Sequence, residues 1–248
     1  MGGRVGGIVQ FVADGLLAVL LAPTCAACER PLESPTLGPV CAGCWEAIVP
    51  ITPPVCDRCG DPLPSWRVIS IEHARCPRCR RRDGSVSRSR AVGPYEGSLR
   101  AIVHALKYDG RRRIGRPLGL LLAERGAGIL AGADFVVPVP LHGSRQRARG
   151  FNQAAEIAQY LGLPVTRALR RVRATPSQID LPAGRRHANV RGAFALARRT
   201  SVAGAIVVLV DDVSTTGATL EACARVLREN GAKEVRALTA ARVVSRPR

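Results

Sequence analysis

Apolar positions follow three patterns along this chain: unbroken runs, helical spacing, and isolated residues between paired cysteines. Ala205 to Val210 is an unbroken run rich in β-branched residues. Such a run, of strand length and without polar alternation, is expected to be buried on both faces, as in a parallel sheet covered by helices. Leu220, Cys223 and Leu227 then recur at helical spacing, with Glu221, Arg225, Arg228 and Glu229 between them. Asn230–Gly231 supplies a helix stop, and a second apolar run, Val235 to Val244, follows. Strand, helix and strand in this order predict one βαβ unit with a right-handed crossover. Upstream, Phe135 to Val139 reads as another buried strand. Leu99, Ile102, Val103 and Leu106 mark a helix ending near Lys107, Leu118 to Ala123 a second, and Asn152 opens a third. Residues 88–248 are therefore expected to form an α/β domain with a mainly parallel sheet.

The front of the chain has a different pattern. Residues 8–23, IVQFVADGLLAVLLAP, place Leu16, Leu17, Leu20 and Leu21 on one helical face. Residues 1–24 are expected to form an amphipathic helix that packs on the body of the protein, with a membrane-surface role as the alternative. The segment is too short to span a bilayer, and no other is apolar enough, so no transmembrane segment is expected. Eight of the nine cysteines lie in four CxxC pairs: Cys25/Cys28, Cys41/Cys44, Cys56/Cys59 and Cys76/Cys79. In a CxxC turn both sulfurs can face one metal, and two turns complete a tetrahedron. Two structural zinc ions are expected over residues 25–82, paired sequentially, with interleaved pairing left open. Disulfides are the weaker alternative, because no export signal is legible and the cytoplasm, the expected compartment, keeps thiols reduced. This double zinc ribbon is expected to be a domain separate from the α/β part. Residues 80–90, RRRDGSVSRSR, read as a hinge. Cys223 reads as a core residue. His73, His104, His142 and His187 have no ligand spacing and read as surface or packing residues.

Charge narrows the partners. The formal net charge is +18, and Lys107 and Lys233 are the only lysines among 37 basic residues. That balance predicts polyanionic partners, either nucleic acid or a diphosphate-bearing substrate. Two four-thiolate zinc sites would lower the charge only to about +14. Arg58, Arg67, Arg75, Arg78, Arg80, Arg81 and Arg82, with Trp66, suit single-stranded DNA, whose bases stack and whose phosphates pair. The alternative is a solvated basic surface with Trp66 in a small core.

Candidate chemistry concentrates at residues 207–220, VVLVDDVSTTGATL. Ligands of parallel sheets bind beyond the carboxyl ends of strands, and Asp211 to Thr219 falls there. Ser214, Thr215, Thr216, Gly217, Ala218 and Thr219 lead into a helix, whose free N–H groups suit a phosphate. Asp211 and Asp212 are expected beside it, accepting hydrogen bonds from sugar hydroxyls or approaching a hydrated Mg²⁺. The competing reading is a capped helix with turn-forming aspartates. At the end of the 135–139 strand, Arg145, Arg147 and Arg149 are expected in a polycationic loop able to pair with a diphosphate. Residues 174–194 lack apolar periodicity and hold Gln178, Arg185, Arg186, Asn189 and Arg191, as a functional loop would.

The 207–219 segment resembles the phosphoribosyl-diphosphate signature of type I phosphoribosyltransferases. Together with residues 137–158, 175–194, 106–115 and the CxxC pairs, it resembles the ComF family of competence-associated proteins. The resemblance implies a type I phosphoribosyltransferase fold that binds 5-phosphoribosyl-1-diphosphate with Mg²⁺. It implies that the 145–149 arginines belong to a pyrophosphate loop, and that a mobile loop bearing Arg185 and Arg186 closes over the substrate. It implies a glycosyltransferase acting on a pentosyl group, with an acceptor the sequence does not name. The alternative it carries is a non-catalytic component of DNA uptake that handles single strands beside competence or recombination proteins. The phosphoribosyl site would then be a sensor or a relic.

Overall fold

The computed structural model describes residues 3–64, 74–81, 83–174 and 189–244. The helices are α1 (Gly3–Leu21), α2 (Ala42–Glu46), α3 (Pro77–Arg80), α4 (Gly97–Tyr108), α5 (Gly115–Arg125), α6 (Ala127–Leu130), α7 (Gly143–Arg149), α8 (Gln153–Ala158) and α9 (Ala218–Glu229). The strands are β1 (Ser89–Pro94), β2 (Phe135–Pro138), β3 (Leu169–Arg171), β4 (Phe194–Leu196), β5 (Ile206–Ser214) and β6 (Glu234–Arg242).

Four strands form a parallel sheet in the order β1-β6-β5-β2, and β3 and β4 form a small antiparallel pair. The apolar run of β5 is buried on both faces, as its pattern requires. Val208 and Val210 join one core cluster, while Val207 and Leu209 join the other with Cys223 and Leu227 of α9. The expected βαβ unit is thus β5–α9–β6. The strand continues four residues past the apolar run, so Asp211 and Asp212 lie in β5 itself, before the loop. Their backbone groups are held by the neighbouring strand, with Asp211 opposite Thr239 and Ser214 opposite Arg242.

The front of the chain repeats one device. In each half, the first CxxC lies in a turn closed by an antiparallel bridge, Thr24 to Pro31 and Val55 to Pro62. The second CxxC opens a short helix: Cys41 and Cys76 precede α2 and α3, which carry Cys44 and Cys79.

Three expectations change here. The first half of the ribbon packs into the sheet domain, while the second half keeps a small core of its own. Cys25, Leu32, Val40, Cys44 and Ile48 share a core with Val92, Leu99 and Ile102 of the sheet domain. The 80–90 segment is not a free hinge. The backbone N–H of Ser87 donates to Val235 (2.8 Å) and that of Ser89 to Arg58 (2.6 Å), because β1 completes the sheet edge and orders what precedes it. Finally, α1 turns its apolar face outward: Leu16, Leu20 and Leu21 are 58%, 75% and 70% exposed. The cause is Asp14, whose buried carboxylate accepts from the Thr36 N–H (2.9 Å) and fixes that face inward. Among the described residues, no helix is long and apolar enough to cross a membrane.

Candidate functional site

A cavity of about 770 Å³ opens at the carboxyl end of the sheet. Its floor carries Asp211 and Asp212 of β5. Lys107, in the last turn of α4, is buried against them, its Nζ 2.9 Å from Asp212 Oδ1. Asp211 Oδ1 accepts the backbone N–H of Asp212 (2.9 Å). Burial, and then repulsion from the Asp212 carboxylate, push Asp211 up to about 7 against the pull of Lys107. Burial alone would lower the Lys107 ammonium, but Asp212 and Asp211 outweigh it and hold it above its ordinary value. A cation beside Asp211 would relieve this crowding, so the donor set fits a hydrated Mg²⁺.

Thr215 and Thr219 face the same cavity. Gly217 adopts φ +77°, and an added Cβ there would meet nothing within 4 Å. Glycine is required by this left-handed turn and not by lack of space. Gly217 is the N-cap of α9, so the cap residue itself brings no side chain to the helix's first N–H groups. Ala218 is the first, buried, residue of that helix. Ser214, Thr216 and Gly217 line a second cavity, of about 350 Å³, between this loop and the second cysteine site. Ser214 Oγ and Thr216 Oγ1 are buried there, with no hydrogen-bond partner among the described residues.

Residues 143–149 are helical, where a loop was expected. His142 starts the helix, its Nδ1 accepting from the Ser144 N–H (3.4 Å). The consequence is a division of the three arginines. Arg145 and Arg149, four residues apart, share a face and line the large cavity, whereas Arg147 is exposed and outside the lining. Arg171 of β3 joins them. Asn152 caps α8 as expected, accepting from Ala154 and Ala155. Gln178, Arg185, Arg186 and His187 lie outside the described residues, as do Trp66, Arg67, His73 and Arg82.

The eight paired cysteines form two clusters, Cys25/Cys28/Cys41/Cys44 and Cys56/Cys59/Cys76/Cys79, which is the sequential pairing. Sulfur separations are 3.8 Å for Cys25–Cys44 and Cys28–Cys41, and 3.7 Å for Cys59–Cys76. A tetrahedron with metal–sulfur bonds of about 2.3 Å has edges of about 3.8 Å, so the residues fit zinc. Backbone N–H groups of Ala27 and Cys41 also point at Cys25 Sγ (3.4 and 3.3 Å), as stabilised thiolates require.

The second knuckle reaches the loop beside the carboxylates. Asp61 forms a buried ion pair with Arg242 (3.2 Å), the residue opposite Ser214. Arg58 pairs with Glu221 (3.5 Å) in the first turn of α9. Arg78 points its guanidinium at Cys59 Sγ (3.7 Å). Arg58 and Arg78, expected on a nucleic-acid face, thus point into the protein.

Sequence reasoning missed Lys107, Arg171 and the cavity wall formed by Tyr95, Arg100, His104 and Tyr108. A signal existed for Lys107: it is one of two lysines in an arginine-rich chain and closes an amphipathic helix. His104 is a surface residue, as expected, and its surface is that of the cavity.

Comparison with known proteins agrees with this architecture. Residues 16–80 match the double zinc ribbon domain, and residues 147–247 match the phosphoribosyl transferase domain. The chain is 33% identical over 222 residues to DNA utilization protein YhgH of Salmonella typhimurium, covering 85% of this chain and 93% of that one. Over the same shares it is 32% identical to competence protein F of Haemophilus influenzae. Competence protein ComFC of Bacillus subtilis is 29% identical, covering 77% of this chain and 79% of its own length. A parallel α/β sheet behind two four-cysteine sites, matched along nearly the whole of such relatives, places the chain in the ComF family, with a double zinc ribbon ahead of a phosphoribosyl transferase domain.

Proposed function

We propose that the large cavity binds 5-phosphoribosyl-1-diphosphate with Mg²⁺. One observation carries this reading. Two crowded carboxylates of β5, with Thr215 and Thr219 on either side of the turn into α9, face a single cavity that Arg145, Arg149 and Arg171 also line. In this reading Asp211 and Asp212 hold the ribose hydroxyls. Thr215 and Thr219 offer their hydroxyls, and the loop its backbone N–H groups, to the 5-phosphate, while Ser214, Thr216 and Gly217 back the loop from the neighbouring cavity. Arg145 and Arg149 pair with the diphosphate, joined by Arg171, and Arg185 and Arg186 are assigned to the closing loop. Mg²⁺ supplies charge neutralisation of the diphosphate when bound. The reaction such a site favours is displacement of diphosphate at the anomeric carbon. Positioning and the negative field of the carboxylates stabilise the positive charge that develops on the sugar.

A second reading draws on the relatives' names and the +18 charge: handling of single-stranded DNA in competence or DNA utilization. The two readings are compatible in one protein and differ in whether diphosphate is released.

Titration calorimetry tests the first. Asp211→Asn with Asp212→Asn exchanges acceptor oxygens for donor amides. Each charged hydrogen bond contributes about 1.5–3 kcal/mol, so affinity for the Mg²⁺ complex should fall by at least about tenfold. Equal affinity of the two proteins would reduce the acids to turn residues. A gain in plain pyrophosphate binding would show that they chiefly repel anions.

A further inference from the structure

The α4 wall of the cavity, which reaches the carboxylates through Lys107, has a chemistry of its own. Helix α4 places Arg100, His104 and Tyr108 four residues apart on one face, and all three line the large cavity. The other face of α4 is spent on the core, where Leu99, Ile102, Val103 and Leu106 are buried. By contrast Arg100, His104 and Tyr108 are exposed, Tyr108 by 53%. The His104 ring lies 4.7 Å from the Tyr108 ring at a 42° tilt. The Arg149 guanidinium lies 5.0 Å from the Tyr108 ring centroid. Three planar groups therefore stand in a row at the cavity mouth, in a chain with only 4% aromatic residues. Aromatic faces next to guanidinium groups stack nucleobases and pair phosphates.

Charge narrows the ligand. Arg100, Lys107, Arg145, Arg149 and Arg171 line the cavity against Asp211 and Asp212, and Lys107 is already committed to Asp212. Arg100 stands one helical turn, about 6 Å, beyond His104 and away from the carboxylate floor. A base that carries a phosphate would use the rings and that cation together. Arg149, whose Nη1 also donates to Gln153 Oε1 (3.1 Å), stands over one face of Tyr108 and leaves the residue half exposed.

We propose that this stripe is a nucleotide subsite that takes a phosphate-bearing nucleobase. The base stacks on Tyr108 and His104, and the phosphate pairs with Arg100. Nucleotide binding to the stripe does not rest on the phosphoribosyl reading above. The ligand is a free nucleotide or a nucleotide within a single strand, which share this chemistry.

The test is calorimetric titration of thymidine monophosphate, adenosine monophosphate and a short oligothymidylate, with magnesium pyrophosphate present to engage Arg149. Ribose 5-phosphate serves as the base-free control. Loss of a stacked base predicts that Tyr108→Leu weakens both monophosphates by about tenfold or more. Ribose 5-phosphate should stay within about twofold. Arg100→Gln should weaken the monophosphates but not thymidine. A parallel loss for oligothymidylate in Tyr108→Leu would assign the subsite to strands, and an unchanged oligothymidylate to free nucleotides. The proposal is overturned if the monophosphates bind no better than ribose 5-phosphate, or equally to wild type and Tyr108→Leu. If nucleotides depend on Tyr108 while the double Asp→Asn variant keeps its phosphoribosyl diphosphate affinity, the stripe stands and the phosphoribosyl reading falls.

Discussion

Replacing Lys107 with Met offers a quantitative test of the cavity floor. Methionine keeps the length of the side chain and removes its charge. Lys107 and Asp212 are 2.9 Å apart, with side chains only 9% and 12% exposed. Removing one partner of such a buried pair costs about 3–5 kcal/mol. A second estimate comes from protonation, because the Asp211–Asp212 pair can always escape by taking up one further proton. Against an ordinary aspartate value of about 3.9, holding that proton near pH 7 costs about 4 kcal/mol, and near pH 5 about 1.5 kcal/mol. The penalty at neutral pH should therefore be about 3–4 kcal/mol, and it should shrink to about 1.5 kcal/mol near pH 5.

The sign is fixed by linkage. A carboxyl whose folded-state value is raised binds more protons folded than unfolded. Its deficit is absent below about pH 3.9 and grows as pH rises. Urea unfolding of wild type and Lys107→Met, followed by circular dichroism at the two pH values, measures the difference. Protonation of zinc thiolates affects both proteins and cancels. Adding Asp212→Asn to Lys107→Met removes the stranded charge and should recover about half or more of the neutral-pH loss. An equal penalty at both pH values, or a double variant no more stable than the single, would refute the ion-pair account of the floor.

Other consequences follow from the zinc sites and the charge. Purified, reduced protein should carry close to two zinc ions per chain, and Cys41→Ser should lose one and loosen the front, since metal binding there is folding free energy; a ratio near zero in metal-replete wild type would contradict the ribbon. Binding to single-stranded DNA should weaken steeply with salt, because Arg–phosphate contacts release counterions, and a flat response between low and physiological salt would remove DNA phosphates from the account. Asp61→Asn should strand the buried Arg242 and destabilise ribbon and sheet together by about 3 kcal/mol, whereas a loss confined to the ribbon in hydrogen exchange would show that the two halves are independent.

What the sequence discloses follows the range of the interactions involved. Strand β5, helix α9 and the sequential cysteine pairs are legible because local pattern decides them: a doubly buried run, a 3.6-residue period, and a two-residue turn that aims both sulfurs one way. The outward face of α1 is not legible, since its leucines define a stripe but not what the stripe meets. Only the contact between Asp14 and Thr36 decides that. Lys107 precedes Asp212 by 105 positions, and the strand order β1-β6-β5 is what brings the end of α4 to the end of β5. The same long range explains the ribbon. Arg58 and Asp61 flank Cys59, and by spacing alone they belong to a metal knuckle. In the fold their side chains reach the two flanks of the signature loop, Glu221 after it and Arg242 across from Ser214. Asp61 is 4% exposed and Arg242 3%, so this contact excludes water as a core contact does. A zinc knuckle that only stabilised itself would need neither charge buried, because two apolar residues of similar size would pack there at no greater cost. The buried pair fixes orientation as well as proximity. The second cysteine site therefore forms one wall of the loop between β5 and α9, tied to both of its flanks.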